Sequence, residues 1–98
     1  MTINKELNGN ALAIALEGRL DTITAPELEA ALNESLDGVQ ALSFDFAKLE
    51  YISSAGLRVL LAAQKRMNKQ GTMVVSNVNE TIMEIFEVTG FADILTIV

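Results

Sequence analysis

The chain has 98 residues, half of them apolar and one-fifth charged, a size and composition that predict a single domain spanning residues 1–98. It contains no cysteine and no histidine, which excludes disulfides, thiolate or histidine metal sites and histidine-dependent catalysis. A formal net charge of -6 argues against nucleic-acid binding, and the absence of a signal peptide or a spanning apolar run predicts a cytoplasmic protein without membrane insertion.

The first 17 residues predict a β-hairpin. Asn8-Gly9 is a dipeptide typical of tight two-residue turns, so a strand is expected on each side of it. In the second strand, larger aliphatic residues alternate with Ala11, Ala13 and Ala15. This alternation predicts one unusually flat face, which a helix can approach closely.

A polar loop over Gly18–Ile23 leads into the first helix. Thr24 and Glu27 have the spacing of a capping box, and Pro26 stands in the first turn, where a missing N–H is tolerated. Asp37-Gly38 is expected to end the helix. Its apolar stripe consists of Leu28, Leu32 and Leu36.

The middle of the chain predicts a third strand, a loop and a second helix. The strand alternates through Leu42, Phe44 and Phe46, leaves the core near Asp45 and gives way to a loop over Leu49–Gly56. The helix begins at Ser53-Ser54 and ends at Gly71. One side of this helix consists of Leu57, Leu60, Leu61 and Met67.

The last third predicts a strand over 72–76, a helix over 77–88 and a strand over 94–98. The predicted order is therefore ββαβαβαβ. Strands that alternate with single helices predict an α/β fold with a mixed, mostly parallel sheet, an N-terminal antiparallel hairpin and helices packed on the sheet.

Candidate functional residues lie in the loops at the carboxyl ends of the strands, where α/β proteins place their sites. Ser53 or Ser54 is either an N-cap or a phosphate acceptor at the start of a helix. Arg58 stands one turn beyond Ser54, at a spacing that reaches a phosphate there or a carboxylate of a partner. Asp21, in the other loop, is by default a solvated turn residue.

The charge of the second helix differs from that of the rest of the chain. It carries Arg58, Lys65, Arg66 and Lys69 and no acid, so the remainder has 3 basic and 13 acidic residues. The last three cations complement the helix dipole, which leaves only Arg58 for another role. No Gly-rich phosphate loop, metal cluster or carboxylate pair is present, so no cofactor is expected and an enzyme is disfavoured.

The segment Asp45–Leu57 resembles the signature of STAS domains, the anti-sigma factor antagonists, which runs roughly D-[LF]-[ST]-x-[VL]-x-[YF]-[IM]-D-S-[STA]-G-[LI]. Gly18-Arg19-Leu20-Asp21 followed by Thr24-Ala25 is similar to the second motif of that family. Ser53 stands where the signature has aspartate. Family members usually carry one more helix after the final strand, so either one face of the sheet is thinly covered or the sequence is shortened.

The resemblance implies a phosphorylation-gated partner switch. In such proteins the unphosphorylated antagonist binds an anti-sigma factor that is a serine kinase of the GHKL type, and the sigma factor is released. Phosphorylation of the motif serine, here Ser54, breaks the complex, and a PP2C-type phosphatase restores it. The expected docking surface comprises Asp21, Thr24, Ser53, Gly56 and Arg58.

A second hypothesis assigns the chain to a transport complex as a STAS-like accessory subunit. In that case the serine is structural and is never phosphorylated, and association with a membrane ATPase is constitutive. The sequence leaves open which sigma factor is controlled, and whether the protein is a monomer or a weak dimer.

Overall fold

The computed structural model describes residues 1–98 as a four-stranded sheet with three α-helices, which confirms the predicted fold class. The strands are β1 Thr2–Asn8, β2 Ala11–Leu20, β3 Ala41–Ile52 and β4 Thr72–Ser76. The helices are α1 Ala25–Ser35, α2 Ser54–Gln70 and α3 Glu80–Thr89, followed by a 3₁₀ turn at Phe91–Asp93. The strand order is β1-β2-β3-β4, with β1 antiparallel to β2 and the other pairs parallel.

The core lies on one face of the sheet. The large apolar side chains of the parallel strands stand in register, with Leu42 between Leu12 and Met73, and Phe44 between Ile14 and Val75. All of them are buried, in one cluster with the leucines of α1 and the inner residues of α2 and α3. The Phe44 and Phe46 rings lie 5.9 Å apart between centroids.

The opposite face of the sheet is open, so the expectation that a helix packs on the alanine face is wrong. Ala11 and Ala13 are exposed and Ala15 is half-buried, while the residues beside them on β3 include the partly exposed Ser43 and Asp45. The helices pack on the leucine and isoleucine face because larger side chains remove more apolar surface from water.

The hairpin turn is shifted by one residue from its predicted place. Asn8 pairs with Ala11, so the two central residues are Gly9 and Asn10 rather than Asn8 and Gly9. The φ angle of Gly9 is positive, at 62°, whereas the φ angle of Asn10 is not positive. Glycine at the first central position is typical of a type II′ turn.

β3 continues to Ile52 and α2 begins at Ser54, so the first half of the loop predicted over Leu49–Gly56 is strand and its last three residues are helix. The pairing of β2 with β3 shifts twice, after Ala15 and after Gly18, and each shift inserts an extra residue on β3. Such bulges reset which side chains point inward. The buried residues of the strand therefore change from a period of two to a period of three, at Leu42, Phe44, Phe46, Leu49 and Ile52.

The C-terminal third is less regular than predicted. α3 begins at Glu80 with Asn79 as its N-cap, because Asn77 has a left-handed φ of 58° and cannot belong to a helix. The strand expected over 94–98 is reduced to a single parallel bridge between Val75 and Ile97. No helix in the structure combines the length and the apolar character needed to span a bilayer.

Candidate functional site

The two predicted loops meet at one edge of the sheet. Leu20 and Ile52 are the last residues of the neighbouring strands β2 and β3 and are register partners. The backbone N–H of Ser53 donates to the carbonyl of Leu20 at 2.9 Å. The chain then turns into α1 on one side and α2 on the other, so the loop that contains Asp21 lies beside the start of α2.

Ser53 and Ser54 have different structural roles. Ser53 is the N-cap of α2, and its hydroxyl accepts a long hydrogen bond of 3.5 Å from the N–H of Gly56. Ser53 is half-buried, whereas Ser54 is exposed in the first helical position. The capping bond thus engages Ser53, while Ser54 makes no such bond and is exposed to solvent.

Gly56 is buried, so the structure contradicts its predicted place on the docking surface. A Cβ atom here would lie 2.7 Å from Cγ of Leu20 and 2.9 Å from Cγ1 of Ile52, closer than van der Waals contact allows. The absence of a side chain lets the first turn of α2 pack against the ends of β2 and β3. Gly56 therefore positions Ser54 by close packing.

Asp21 and Thr24 stabilise the turn that precedes α1. Oδ1 of Asp21 accepts hydrogen bonds from the N–H groups of Ile23 and Thr24 at 3.0 and 3.1 Å. The Thr24 hydroxyl accepts from the N–H of Asp21 and donates to the carbonyl of Arg19, both at 2.8 Å. The capping box predicted for Thr24 is wrong, because its side chain bonds backward into the turn and makes no cap bond to the helix.

These hydrogen bonds hold Asp21 in its charged form. The donation from the Thr24 N–H, with smaller contributions from Ile23, the Thr24 hydroxyl and the Arg19 charge, lowers the pKa of Asp21 below its usual 3.8. Together these contributions outweigh the desolvation of the carboxyl group, which by itself raises the pKa of Asp21. The surface beside Ser54 thus carries a fixed negative charge at neutral pH.

Three residues near this edge, the exposed Arg19 and Ile23 and the half-buried Tyr51, were not singled out from the sequence. The Arg19 guanidinium lies 4.5 Å from the centroid of the Tyr51 ring and 3.9 Å from the Asp21 carboxylate. Arg19 and Tyr51 are neighbours only because of the second bulge in β3, which no local pattern reveals. Ile23, at the tip of the loop, is 83% exposed, an unusual position for an aliphatic side chain of this size.

Arg58 lines a shallow depression between α1 and α2. The depression has a volume of about 250 Å³ and also contains Thr22, Glu29 and Ala55. Arg58 is exposed, whereas Arg66 on the same helix forms an ion pair of 2.6 Å with Asp37. Arg58 therefore remains available next to the exposed serine.

A second carboxylate, Asp45, ties the bulged half of β3 to the loop before α3. Its Oδ1 accepts from Nδ2 of Asn77 and from the N–H of Ala47, both at 2.9 Å. Mainly because of the Asn77 bond, and then the Ala47 bond, the pKa of Asp45 lies below its usual 3.8. Nδ2 of Asn79 donates to the Leu49 carbonyl at 2.9 Å, which fixes the same loop farther along the strand.

The lowered pKa of Asp45 predicts how stability depends on pH. The pKa of Asp45 is lower in the folded state than in the unfolded state. The stabilisation that the ionised Asp45 carboxylate provides is therefore complete above pH 3.8, and it is lost as the pH falls through the folded-state pKa. We expect Asp45→Asn to lower the urea midpoint at pH 7 and the difference from wild type to shrink towards pH 2. Glu84→Gln on α3 is the control for loss of one exposed negative charge, and an equal effect of both variants would contradict the prediction.

Comparison with known proteins gives a family and a fold. Residues 2–98 match the STAS domain family. BtrV of Bordetella bronchiseptica, described as an anti-sigma factor antagonist, is 35% identical over 99% of this chain and 84% of its own length. The crystal structure of an anti-sigma factor antagonist from Mycobacterium paratuberculosis is 25% identical with a TM-score of 0.87, covering 98% of this chain and 83% of that one. Phosphorylated SpoIIAA of Bacillus shares the fold, with 18% identity, a TM-score of 0.77 and coverage of 99% and 91%.

Proposed function

The chain belongs to the STAS domain family, and on this basis we propose that it is an anti-sigma factor antagonist controlled by phosphorylation. The unphosphorylated form binds an anti-sigma factor serine kinase of the GHKL type and so frees the sigma factor. The Ser54 oxygen then bonds to the γ-phosphorus of ATP, the bond between that phosphorus and the β,γ-bridging oxygen breaks, the hydroxyl proton passes to solvent, and ADP leaves. The resulting phosphoserine breaks the complex, and a PP2C-type phosphatase hydrolyses it to restore the serine and release inorganic phosphate.

The exposure of Ser54 is the observation that carries this proposal. A kinase must reach the acceptor oxygen, and Ser54 is exposed on the first turn of α2 while the adjacent Ser53 makes the capping bond. BtrV, the 35% identical relative, is described as an anti-sigma factor antagonist, which supports the same class for this chain. SpoIIAA, which shares the fold, has been solved in a phosphorylated form.

The proposed docking surface surrounds Ser54 at the carboxyl edge of the sheet. It comprises Asp21, Thr24, Ser53 and Arg58, with Gly56 acting beneath it through packing. The ionised Asp21 carboxylate and the unpaired Arg58 supply opposite charges that fix the orientation of a partner. Ile23, which is 83% exposed at the loop tip, adds an apolar contact.

The switch has a simple physical basis. A phosphoserine carries a charge of nearly -2, and placing it in a closely packed contact adds both repulsion and the cost of removing water. A loss of about 3 kcal/mol weakens binding by more than a hundredfold. No rearrangement of the fold is needed for that effect. In this proposal the chain is a regulatory binding protein of the cytoplasm.

Mass spectrometry of the protein from its own cells tests the proposal. We expect a phosphate on Ser54 in part of the population, and we expect purified partner kinase with ATP to produce the same modification. The Ser54→Ala variant is the control for the site. Absence of phosphate on Ser54 both in cells and after incubation with the kinase, together with constant binding to a membrane ATPase, would overturn the proposal in favour of a subunit of a transport complex.

A further inference from the structure

Arg58 is placed to contact a group attached to Ser54. The two residues are separated by four positions on α2, and residues at this spacing lie on the same helix face about one turn apart. Side chains of a helix lean towards its N-terminus, a geometry that brings the turn containing Ser54 within reach of a long side chain at position 58. An anion that precedes a cation by four residues is the favourable order for such a pair.

The charge of Arg58 has no partner in the present structure. Three ion pairs are formed, and their cations are Arg19, Lys48 and Arg66. The first turn of α2 contains no acidic residue that would compete at the same position. Glu29 of α1 lines the depression beside Arg58 but does not form an ion pair with it.

We propose that Arg58 binds the phosphate of phosphorylated Ser54 within the same chain. This inference rests on the proposed function, because it takes Ser54 as the acceptor, and it deepens the account of regulation. Guanidinium groups bind phosphate oxygens in charge-assisted, frequently bidentate hydrogen bonds. Phosphorylation then changes the charge of the docking surface in two ways. It adds the phosphate anion at Ser54, and it pairs Arg58, the one unpaired cation that lines the depression, so that Arg58 no longer contacts a partner.

The other charged groups around Ser54 are already engaged or lie across the depression. Asp21 is held by the turn before α1 and pairs with Arg19, which also stacks on Tyr51. Glu29 projects from α1 into the same depression and competes for Arg58, but a phosphoserine carries nearly twice the charge of a carboxylate and therefore attracts the guanidinium more strongly. Lys65 stands eleven residues beyond Ser54, about 16 Å along the helix and outside the screening length of about 8 Å.

The test uses protein in which phosphoserine is introduced at position 54 during translation, so that no kinase is required. The second pKa of the phosphate, near 6 in an isolated phosphoserine, is measured by ³¹P NMR. A cation at this spacing lowers the pKa of the phosphate by about 0.2–0.4 units. We expect Arg58→Gln to raise the phosphate pKa by this amount, and Arg58→Lys to retain most of the wild-type value.

Lys65→Gln is the matched control, since it removes the same charge from the same helix at a greater distance. We expect the phosphate pKa of this variant to equal that of wild type, and the Arg58→Gln effect to vanish in about 1 M salt, where screening acts within about 3 Å. Equal pKa values in wild type and Arg58→Gln, or an equal rise in Lys65→Gln, would overturn the inference. Because the phosphate is installed without the kinase, this result is independent of whether cells phosphorylate Ser54.

Discussion

Replacement of Ser54 by aspartate is expected to weaken the complex with the anti-sigma factor at least about tenfold, a loss of about 1.4 kcal/mol. The carboxylate introduces one permanent negative charge at position 54, which is exposed and lies on the proposed docking surface. A charge buried at an interface without a partner costs its hydration free energy and gains no ion pair in return. Isothermal titration calorimetry with the purified kinase and ADP measures the change.

Two variants separate the effect of the site from that of charge. Thr81→Asp places the same charge on an exposed hydroxyl position in the first turn of α3, and we expect it to bind like wild type. Ser54→Ala is expected to bind at wild-type strength and to resist phosphorylation, because it removes the acceptor without adding charge. Equal affinity of Ser54→Asp and wild type would show that Ser54 lies outside the interface.

Replacement of Phe44 by alanine is expected to lower the free energy of unfolding by about 3–5 kcal/mol. Phe44 is fully buried in the central part of β3, between Ile14 and Val75, and its ring packs near that of Phe46. The variant loses the burial of the ring and leaves a cavity that the neighbouring strands cannot fill. Since small domains are stable by about 5–15 kcal/mol in total, a large part of the stability is lost.

Urea denaturation of Phe44→Ala and Ser43→Ala measures this effect with a control on the adjacent residue. Ser43 points to the open face of the same strand and is only half-buried, so its replacement is expected to change stability by less than about 0.5 kcal/mol. A comparable loss in both variants would mean that the open face is also packed, which would contradict a core on one side of the sheet.

The predictions that held depend on local patterns. The apolar stripes of α1 and α2 and the proline in the first turn of α1 mark helices by themselves, because period and backbone preference act within a few residues. The antiparallel hairpin and the parallel sheet followed from the order of these elements. Predictions that failed concern relations between elements, such as the exact pairing at Gly9 or the partner of the Thr24 hydroxyl.

The clearest example of a feature that local sequence patterns could not predict is the course of β3. Two bulges insert residues that face no partner on β2, and they change which side chains point inward without changing the composition of the segment. Asp45 accepts the N–H of Ala47 at the first bulge and is held in turn by Asn77, which is more than thirty residues away in the chain. No window of sequence around Asp45 contains that partner, so the extended strand could not be predicted.

The amino-acid order alone determined that the chain builds an α/β domain without thiol or imidazole chemistry, and that two serines stand at the start of a cationic helix. Only the tertiary structure decided that Ser53 caps the helix while Ser54 faces solvent, that Gly56 is buried against Leu20 and Ile52, and that Arg58 is left unpaired. The physical reason is that helix and strand preferences act through neighbours in sequence. Exposure, hydrogen-bond partners and free charges depend on which distant segments pack together.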